Sequence, residues 1–189
     1  MHASSTKPPA TLDAPAVIYL PDADVDAAVD AEIRTLLTTC FLKPQDTVFR
    51  TQRYFREPYP HRWIIRDAAG RMLAHIGVHE KTVQAAGRVY PIAGIAEVCV
   101  HQDCRGRGYV RYMLEAAHAR MRAAGRAFAV LFGNPDVYGS SGYLPVANLA
   151  HDADASEGGT RRQSIAALVR PLADGPWPSG EVYLPGPTF

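Results

Sequence analysis

The sequence predicts an α/β protein in which helices flank a central mixed sheet of six to seven strands. One observation is the stretch from Ile95 to Gly125, where an apolar β-favouring run is followed by a polar turn and then by apolar residues at helical spacing. A helix that connects two neighbouring strands requires those strands to be parallel. The other observation is a series of strands joined by short turns before this stretch, which is typical of antiparallel pairing.

The composition is that of one ordinary globular domain. The 189 residues carry 20 Lys and Arg against 19 Asp and Glu, so a net charge of +1 argues against a nucleic-acid or membrane-surface partner. No apolar run is long enough to span a bilayer, and no signal peptide opens the chain. We therefore expect a cytoplasmic protein with a flexible tail over 1–15, a single domain over 16–172 and a tail over 173–189 that packs on the domain.

The cysteine content also favours a cytoplasmic location. The three cysteines have no metal-ligand spacing, which predicts reduced thiols and no metal site. They are Cys40, Cys99 and Cys104.

The first elements are a strand and a helix. Ala16–Leu20 has strand character, and Asp24–Phe41 has one apolar face, with Asp22 and Asp24 as the candidate N-terminal caps. The apolar face contains Val25, Val29, Ile33, Leu36 and Leu37.

A meander follows. Trp63–Arg66 predicts a strand, 67–70 a turn, and Arg71–Val83 a longer strand. A second turn at Ala86 and Gly87 leads into the central strand, Tyr90–Val100.

The remaining elements alternate between strand and helix. Ala127–Phe132 predicts a buried strand, Gly133–Ser141 a turn with a short helix, and Tyr143–Val146 another strand. His151–Arg162 is polar and predicts a flexible connection, and Ser164–Leu172 predicts the last strand.

The turn after the central strand has the features of an anion site. The first N–H groups of a helix have no partner within the helix and favour negative charge. Gly106 and Gly108 allow the backbone to approach a phosphate, and Arg105 and Arg107 add positive charge. A Walker loop is absent, and Arg111 occupies the place of the third glycine of a dinucleotide fingerprint.

The turn resembles the coenzyme A loop, R/Q-x-x-G-x-G/A, of the GNAT superfamily of N-acetyltransferases, with Val110 in place of the final small residue. The resemblance implies acetyl-CoA as co-substrate and the GNAT fold. It implies that the pyrophosphate is held by backbone amides, that three residues of the central strand pair with the pantetheine arm, and that Asn134 contacts that arm. The amides belong to Arg105, Gly106, Arg107, Gly108, Tyr109 and Val110, and the strand residues are Val98, Cys99 and Val100.

A second segment, Asn134–Tyr143, resembles the family pattern Y-x-x-x-G-F. By this resemblance Tyr138 takes the place of the tyrosine that protonates the departing coenzyme A sulfur. A phenol with pKa about 10 transfers its proton to a thiolate of about 8.5 uphill by roughly 2 kcal/mol, so hydrogen bonding is its main role. The alternative is a core tyrosine with a satisfied hydroxyl.

Glu97 is the ionisable residue inside the central strand. A carboxylate in an apolar strand has a raised pKa unless it is paired, so Glu97 is a candidate general base or acceptor anchor, or else the partner of an arginine. His101 is the second candidate base. Cys99 is expected to be an apolar filler, while the strand or surface histidines are His75, His79 and His118.

The segment Lys43–Pro60 has no clear period but contains four aromatic residues. In a GNAT-like fold it would line the acceptor side of the cleft, and its alternative is a loop that seals the core. The four are Phe49, Tyr54, Phe55 and Tyr59.

The tail provides a finer resemblance. Trp177–Tyr183 is similar to the W-x-x-G-[DE]-V ending of aminoglycoside 2′-N-acetyltransferases and nodulation N-acyltransferases, and this implies an acceptor role for Glu181 and Tyr183. The alternative is a tail strapped across the sheet by Trp177.

Together these features predict transfer of an acetyl group from acetyl-CoA to a primary amine of a small molecule, with an aminoglycoside or amino sugar as first candidate. The alternatives are a longer-chain N-acyltransferase and a non-catalytic acyl-CoA-binding module. A homodimer is one open alternative for the oligomeric state.

Overall fold

A computed structural model describes residues 15–154 and 160–189, and its strands form one sheet in the order β1-β2-β3-β4-β5-β7-β6-β8. The predicted tail 1–15 lies outside the described residues except for Pro15. The pairs β4–β5 and β6–β8 are parallel, and the other neighbours are antiparallel. The strands are β1 (Val17–Pro21), β2 (His61–Arg66), β3 (Met72–Ala85), β4 (Arg88–Val100), β5 (Phe128–Leu131), β6 (Leu144–Asp154), β7 (Thr160–Pro171) and β8 (Val182–Leu184). The helices are α1 (Ala27–Cys40), α2 (Tyr109–Ala123) and the short α3 (Pro135–Tyr138).

The two long helices cover opposite faces of the sheet. In β2, Trp63 and Ile65 belong to the cluster that contains the apolar face of α2, whereas Ile64 packs with α1. This alternation follows from the two-residue period of a strand. The connection of β4 to its parallel neighbour β5 through α2 confirms the predicted crossover.

Helix α1 begins later than the sequence predicts. Its cap is Asp26, whose side chain accepts a 2.8 Å hydrogen bond from the N–H of Val29, so the predicted caps Asp22 and Asp24 were wrong. Asp22 instead accepts a 2.7 Å hydrogen bond from the buried guanidinium of Arg62. A buried arginine is stable only when it is paired. Because Asp22 pairs with Arg62, it does not cap α1.

The C-terminal part contains more strand than predicted. β6 and β7 extend into the predicted flexible connection 151–162, of which 155–159 lie outside the described residues. Pairing of Asp152 with Arg162 places opposite charges across the ladder, and such polar pairs support a solvent-facing hairpin. The added strand β8 makes the sheet eight-stranded rather than six- to seven-stranded. Tyr183 of β8 also pairs with Gln84 of β3, so the sheet curls at this end.

Three histidines are buried rather than exposed. His75, His79 and His118 have at most 5% of their surface exposed. Burial lowers the pKa of both His75 and His118 to about 3. His118 shares a 2.8 Å hydrogen bond with the hydroxyl of Tyr143, so these rings act as neutral polar members of the core.

None of the helices within the described ranges combines the length and apolar character needed to cross a bilayer.

Candidate active site

The central strand β4 has a β-bulge at Glu97. Between the pairs His75–Cys99 and Gly77–Ala96, β3 has one residue whereas β4 has two. Glu97 has a φ of 43°, a left-handed conformation that is uncommon for a residue with a side chain. Bulges redirect side chains beside functional sites, and this one turns the strand at its ionisable residue.

The parallel strands β4 and β5 separate beyond the bulge. Their pairing covers Ile92–Ile95 and Phe128–Leu131, while β4 continues to Val100. Among the described residues, no strand pairs with Val98–Val100 on the side of β5. The backbone groups that this segment directs away from β3 therefore meet no described strand in the gap, and the carbonyl of Val100 instead accepts hydrogen bonds from Sγ of Cys40 at 3.5 Å and Nε of Arg105 at 3.4 Å.

The turn after β4 has the predicted backbone geometry. Gly106 and Gly108 have φ values of 75° and 76°, which an L-residue adopts only with strain, and Gly108 directly precedes α2. The N–H of Tyr112 donates a hydrogen bond to the carbonyl of Gly108. The N–H groups that precede Tyr112 in the helix therefore have no acceptor within α2 and lie at its start. Exposed Arg105 and Arg107 add positive charge there.

The gap and the turn open into one cavity of about 490 Å³, which we call the donor cavity. Ten predicted residues line it. They are Val98, Cys99, Val100, Arg105, Gly106, Arg107, Gly108, Tyr109, Val110 and Tyr138. Asn134 is absent from this lining, and its side chain caps α3 by accepting a 2.9 Å hydrogen bond from the N–H of Asp136. The sequence reasoning missed Cys40, Phe41, Cys104 and Val137 in the lining.

Tyr138 is fixed at the end of α3 by close packing. A Cβ atom at Gly133 would lie 2.6 Å from its ring, and the ring of Tyr143 packs edge-on with a 6.1 Å centroid distance. Burial raises the pKa of Tyr138 to about 12. The hydroxyl therefore stays protonated at neutral pH and can donate a hydrogen bond into the donor cavity.

Glu97 is bound through one carboxylate oxygen. Oε1 accepts a 3.0 Å hydrogen bond from the N–H of Phe55, whereas Oε2 is buried and has no hydrogen-bond partner within the described residues. Burial raises the pKa of Glu97 to about 7, against the opposing effects of the Phe55 N–H, the Tyr59 side chain and the charge of Arg62. A carboxylate with this pKa and a free oxygen can accept a proton near neutral pH.

Glu97 also lines a second cavity of about 230 Å³, which we call the acceptor cavity. Its wall combines aromatic rings with two carboxylates. The lining residues are Phe41, Lys43, Gln45, Asp46, Phe49, Phe55, Glu97 and Phe189. Phe41 lines both cavities, and Glu97 of the second cavity directly precedes Val98 of the first.

Residues of the aromatic segment 43–60 line a cavity and also fill the core. Phe49 and Phe55 line the acceptor cavity, while Phe49 and Tyr59 are almost fully buried. The Tyr59 ring lies 4.8 Å from the guanidinium carbon of Arg62 and fills the space beside Gly77, where a Cβ atom would approach it to 2.4 Å.

Phe189 was not recognised from the sequence. Its ring packs on Gly94 of β4, where an added Cβ atom would lie 2.7 Å away, and its centroid is 5.1 Å from that of Phe132. Lys81 anchors the same segment through a 3.0 Å hydrogen bond to the carbonyl of Pro187. These contacts are distant in sequence, and no local pattern indicates them.

The other tail residues lie apart from both cavities. Glu181 pairs with Arg162 at 2.9 Å, and Tyr183 donates a hydrogen bond to Asp152; Glu181 and Tyr183 line a separate cavity of about 280 Å³. Trp177 donates a 2.9 Å hydrogen bond to Asn148, as expected for a tail strapped to the sheet. His101 lines yet another cavity, beside α1.

The fold, with a strand, a glycine turn and a helix around one cavity, is that of an acyl-CoA-dependent transferase. The model of the acetyltransferase (GNAT) domain family matches residues 23–146. The chain therefore belongs to the GNAT family, whose enzymes transfer acetyl groups and use acetyl-CoA as co-substrate. None of the curated proteins matches it significantly.

Solved structures share this fold. YhbS from Escherichia coli, a GNAT-family N-acetyltransferase in complex with CoA, has 19% identity and a TM-score of 0.61 over 90% of this chain and 91% of that chain. A GNAT acetyltransferase from Brucella melitensis in complex with acetyl-CoA has 19% identity and a TM-score of 0.54 over 88% and 94%. The ribosomal-protein-S18-alanine N-acetyltransferase from Escherichia coli has 14% identity and a TM-score of 0.51 over 85% and 97%. At these identities the similarity extends to the fold alone.

Proposed function

We propose that this protein transfers the acetyl group of acetyl-CoA to a primary amine of a small molecule by direct attack. The observation that carries the proposal is the position of Glu97, which lines the acceptor cavity and directly precedes the donor cavity residue Val98. A carboxylate between the two cavities can take a proton from an amine that enters from one side and attacks a thioester held on the other.

The donor cavity fits coenzyme A. The glycine turn and the start of α2 offer N–H groups and positive charge to a pyrophosphate, and Gly106 leaves its backbone open because no atom lies within 4 Å of an added Cβ. The edge of Val98–Val100, which no described strand covers on the side of β5, is suited to an extended pantetheine arm, which carries amide groups. Two structures with the same fold, those from Escherichia coli and Brucella melitensis, contain CoA or acetyl-CoA.

Glu97 and Tyr138 have separate roles in the reaction. An alkyl amine of pKa about 10.4 is almost entirely protonated at pH 7, so a base near pKa 7 is needed to deliver the neutral form. Glu97 takes one proton from the protonated amine, and the neutral amine attacks the thioester. The C–N bond forms, the C–S bond breaks, and the second proton on nitrogen passes to the coenzyme A thiolate. Tyr138 donates a hydrogen bond to the sulfur as negative charge develops on it.

The lining of the acceptor cavity supports a cationic amine with an apolar neighbouring group. The carboxylates of Asp46 and Glu97 outnumber the single cation of Lys43 and favour positive charge. The aromatic rings of the lining offer apolar and cation–π contacts. An amino sugar or aminoglycoside, proposed from the tail, would also have to reach Glu181 and Tyr183, which line a separate cavity. A longer acyl donor, a non-catalytic acyl-CoA-binding module and a homodimer are the remaining proposals.

The decisive experiment is a thiol-release assay with acetyl-CoA against aminoglycosides, polyamines, amino acids, peptides and aromatic or aliphatic monoamines. We expect release with at least one class and its loss in Glu97→Gln, while acetyl-CoA binding is retained. Release with amino sugars alone would support the acceptor proposed from the tail. Tight coenzyme A binding without release from any amine would support the longer-chain donor or the binding module, and no binding at all would contradict the proposed function.

A further inference from the structure

The donor cavity contains a feature that acetyl transfer does not use. Three thiols line it, those of Cys40 at the end of α1, Cys99 in β4 and Cys104 in the turn. Direct transfer to an amine needs no cysteine nucleophile. Three of the 189 residues are cysteines, and all three line this one cavity, so their chemistry bears on the same site.

Two of these thiols are neighbours. Cys40 and Cys99 belong to different elements but pack in the same apolar cluster, and the thiol of Cys40 donates a 3.5 Å hydrogen bond to the carbonyl of Val100, the residue that follows Cys99. Cys99 is almost completely buried, whereas Cys40 is half-buried, and both line the cavity. The end of helix α1 and strand β4 thus bring two thiols together at one wall of the donor cavity.

The two thiols have different reactivity. The neighbouring Cys99 side chain lowers the pKa of Cys40 to about 7, with a further contribution from the charge of Arg105, although burial opposes it. The Cys40 side chain and burial raise the pKa of Cys99. A thiolate is the reactive form, so Cys40 would react first and Cys99 would serve as the second thiol.

We propose that Cys40 and Cys99 form an oxidisable thiol pair, which a peroxide converts to a disulfide that closes the donor cavity. The Cys40 thiolate attacks one peroxide oxygen, the O–O bond breaks, and the departing hydroxide takes a proton to become water. The thiol of Cys99 then attacks the resulting sulfenic sulfur, the S–S bond forms, and a second water leaves. Two thiols give up two electrons and one peroxide receives them.

The disulfide affects acetyl-CoA through the walls of the cavity. A disulfide holds its sulfurs about 2.05 Å apart, closer than two sulfurs without a covalent bond can approach. Its formation draws the end of α1, with Phe41, towards the edge of Val98–Val100, where the proposed function places the pantetheine arm. Bound acetyl-CoA should in turn shield Cys40 from the peroxide.

Peptide mapping and intact mass after treatment with hydrogen peroxide test the proposal. We expect a peptide joining Cys40 to Cys99 and a mass loss of two hydrogen atoms in the wild type and in Cys104→Ser, but in neither Cys40→Ser nor Cys99→Ser. Acetyl-CoA affinity, measured by calorimetry, should fall at least about tenfold on oxidation and recover with dithiothreitol. Thermal unfolding of each reduced variant identifies any variant that fails to fold. Cys104→Ser is the control variant in which both Cys40 and Cys99 are retained.

Each contrary outcome is distinct. The absence of the cross-linked peptide in the wild type, or a cross-link through Cys104, would overturn the proposal. A Cys40–Cys99 disulfide with unchanged acetyl-CoA affinity would overturn the closure of the cavity. The effect on acetyl-CoA rests on the proposed function, but the mass measurement does not. Failure of the reduced protein to bind acetyl-CoA would therefore contradict the proposed function while leaving the thiol pair to be judged by mass.

Discussion

The N–H of Phe55 donates a 3.0 Å hydrogen bond to Oε1 of Glu97 across a sequence separation of 42 residues. This contact fixes the carboxylate at the bulge of β4 and leaves Oε2 directed away from the backbone donor. It also joins the aromatic segment 43–60 to the central strand. The acceptor cavity is therefore assembled around the residue proposed to act as base, and changes at Glu97 should have specific signatures.

Replacement of Glu97 by Gln should remove the base and its titration. Because the pKa of Glu97 is raised to about 7, kcat of the wild type should increase with pH through about 7 as the carboxyl loses its proton. In Glu97→Gln, kcat should fall by about 100-fold or more and lose this inflection, a typical magnitude for a general base. Steady-state assays from pH 5.5 to 9 with saturating amine measure both effects. An unchanged inflection in the variant would assign the titration to another group.

The same substitution should change the pH dependence of stability. The pKa of Glu97 rises from its ordinary 4.5 to about 7 on folding, so between these values the folded protein holds a proton that the unfolded chain has released. The free energy of unfolding therefore decreases as pH rises through this window. Glu97→Gln has no such titration. Its free energy of unfolding relative to that of the wild type should therefore be higher at pH 8 than at pH 5. Urea unfolding at both pH values measures the difference, and an equal difference at both would contradict burial as the cause of the shift.

Removal of the Tyr138 hydroxyl should affect turnover more than binding. We expect Tyr138→Phe to lower kcat by about tenfold to 100-fold, since hydrogen bonding to the departing sulfur is lost, while the Kd of acetyl-CoA changes little. Tyr143→Phe is the matched control, because it removes a neighbouring buried hydroxyl and leaves His118 without its 2.8 Å partner. It should cost about 1–3 kcal/mol of stability with kcat largely retained. Equal losses of kcat in both variants would indicate a structural role for Tyr138.

The position of the Tyr138 ring can be tested without altering its chemistry. Gly133→Ala places a methyl group 2.6 Å from the ring and should displace it, lowering kcat by about tenfold, or ~1.4 kcal/mol of activation free energy. Gly139→Ala adds the same methyl group beside Tyr138 in a helical conformation, with no atom within 4 Å. Its kcat should match the wild type. Comparable loss of activity in both variants would contradict the importance of the ring position.

The glycine turn should show a specific effect on the donor. Gly106→Ala forces a φ of 75° on alanine, at a cost of about 1–2 kcal/mol, and should weaken acetyl-CoA binding by roughly tenfold as the turn relaxes. Gly70→Ala imposes a comparable strain, with a φ of 85°, in the turn between β2 and β3. It should destabilise the protein similarly but leave acetyl-CoA binding intact. Calorimetric titration and thermal unfolding of the two variants make the comparison, and equal weakening of binding would attribute it to general instability.

The parts of the site that the sequence predicted are those formed locally. The strand, the turn from Arg105 to Val110 and α2 follow one another directly, so residue type and spacing were sufficient to place them beside one cavity. Glu97 could be singled out from the sequence because a carboxylate in an apolar strand is costly to bury unless it is paired or functional. The bulge that directs it depends on the pairing with β3, which a single strand sequence does not reveal.

The features that the sequence did not predict depend on contacts between segments that are far apart in the chain. Asp22 has the residue type of a helix cap, but its use depends on Arg62 of the neighbouring strand β2. The strand β8 has only three residues and too short a pattern to be recognised before its partner β6 is known. Phe189 reaches the acceptor cavity because Gly94 leaves room for its ring. Each of these depends on which segments meet, and composition or periodicity does not determine that.

The separation of β4 from β5 makes the protein's stability a function of its ligand. Val98–Val100 have backbone groups on the β5 side that pair with no described strand, so the sheet is interrupted in its interior. An extended ligand in that gap would complete the hydrogen-bonding ladder much as an added strand does. Such a ligand binds only the folded chain and should raise the unfolding free energy by RT ln(1 + [L]/Kd), about 2.7 kcal/mol at one hundred times Kd. The cellular supply of acyl-CoA would then help to determine how much of this protein is folded at any moment, in addition to how fast it works.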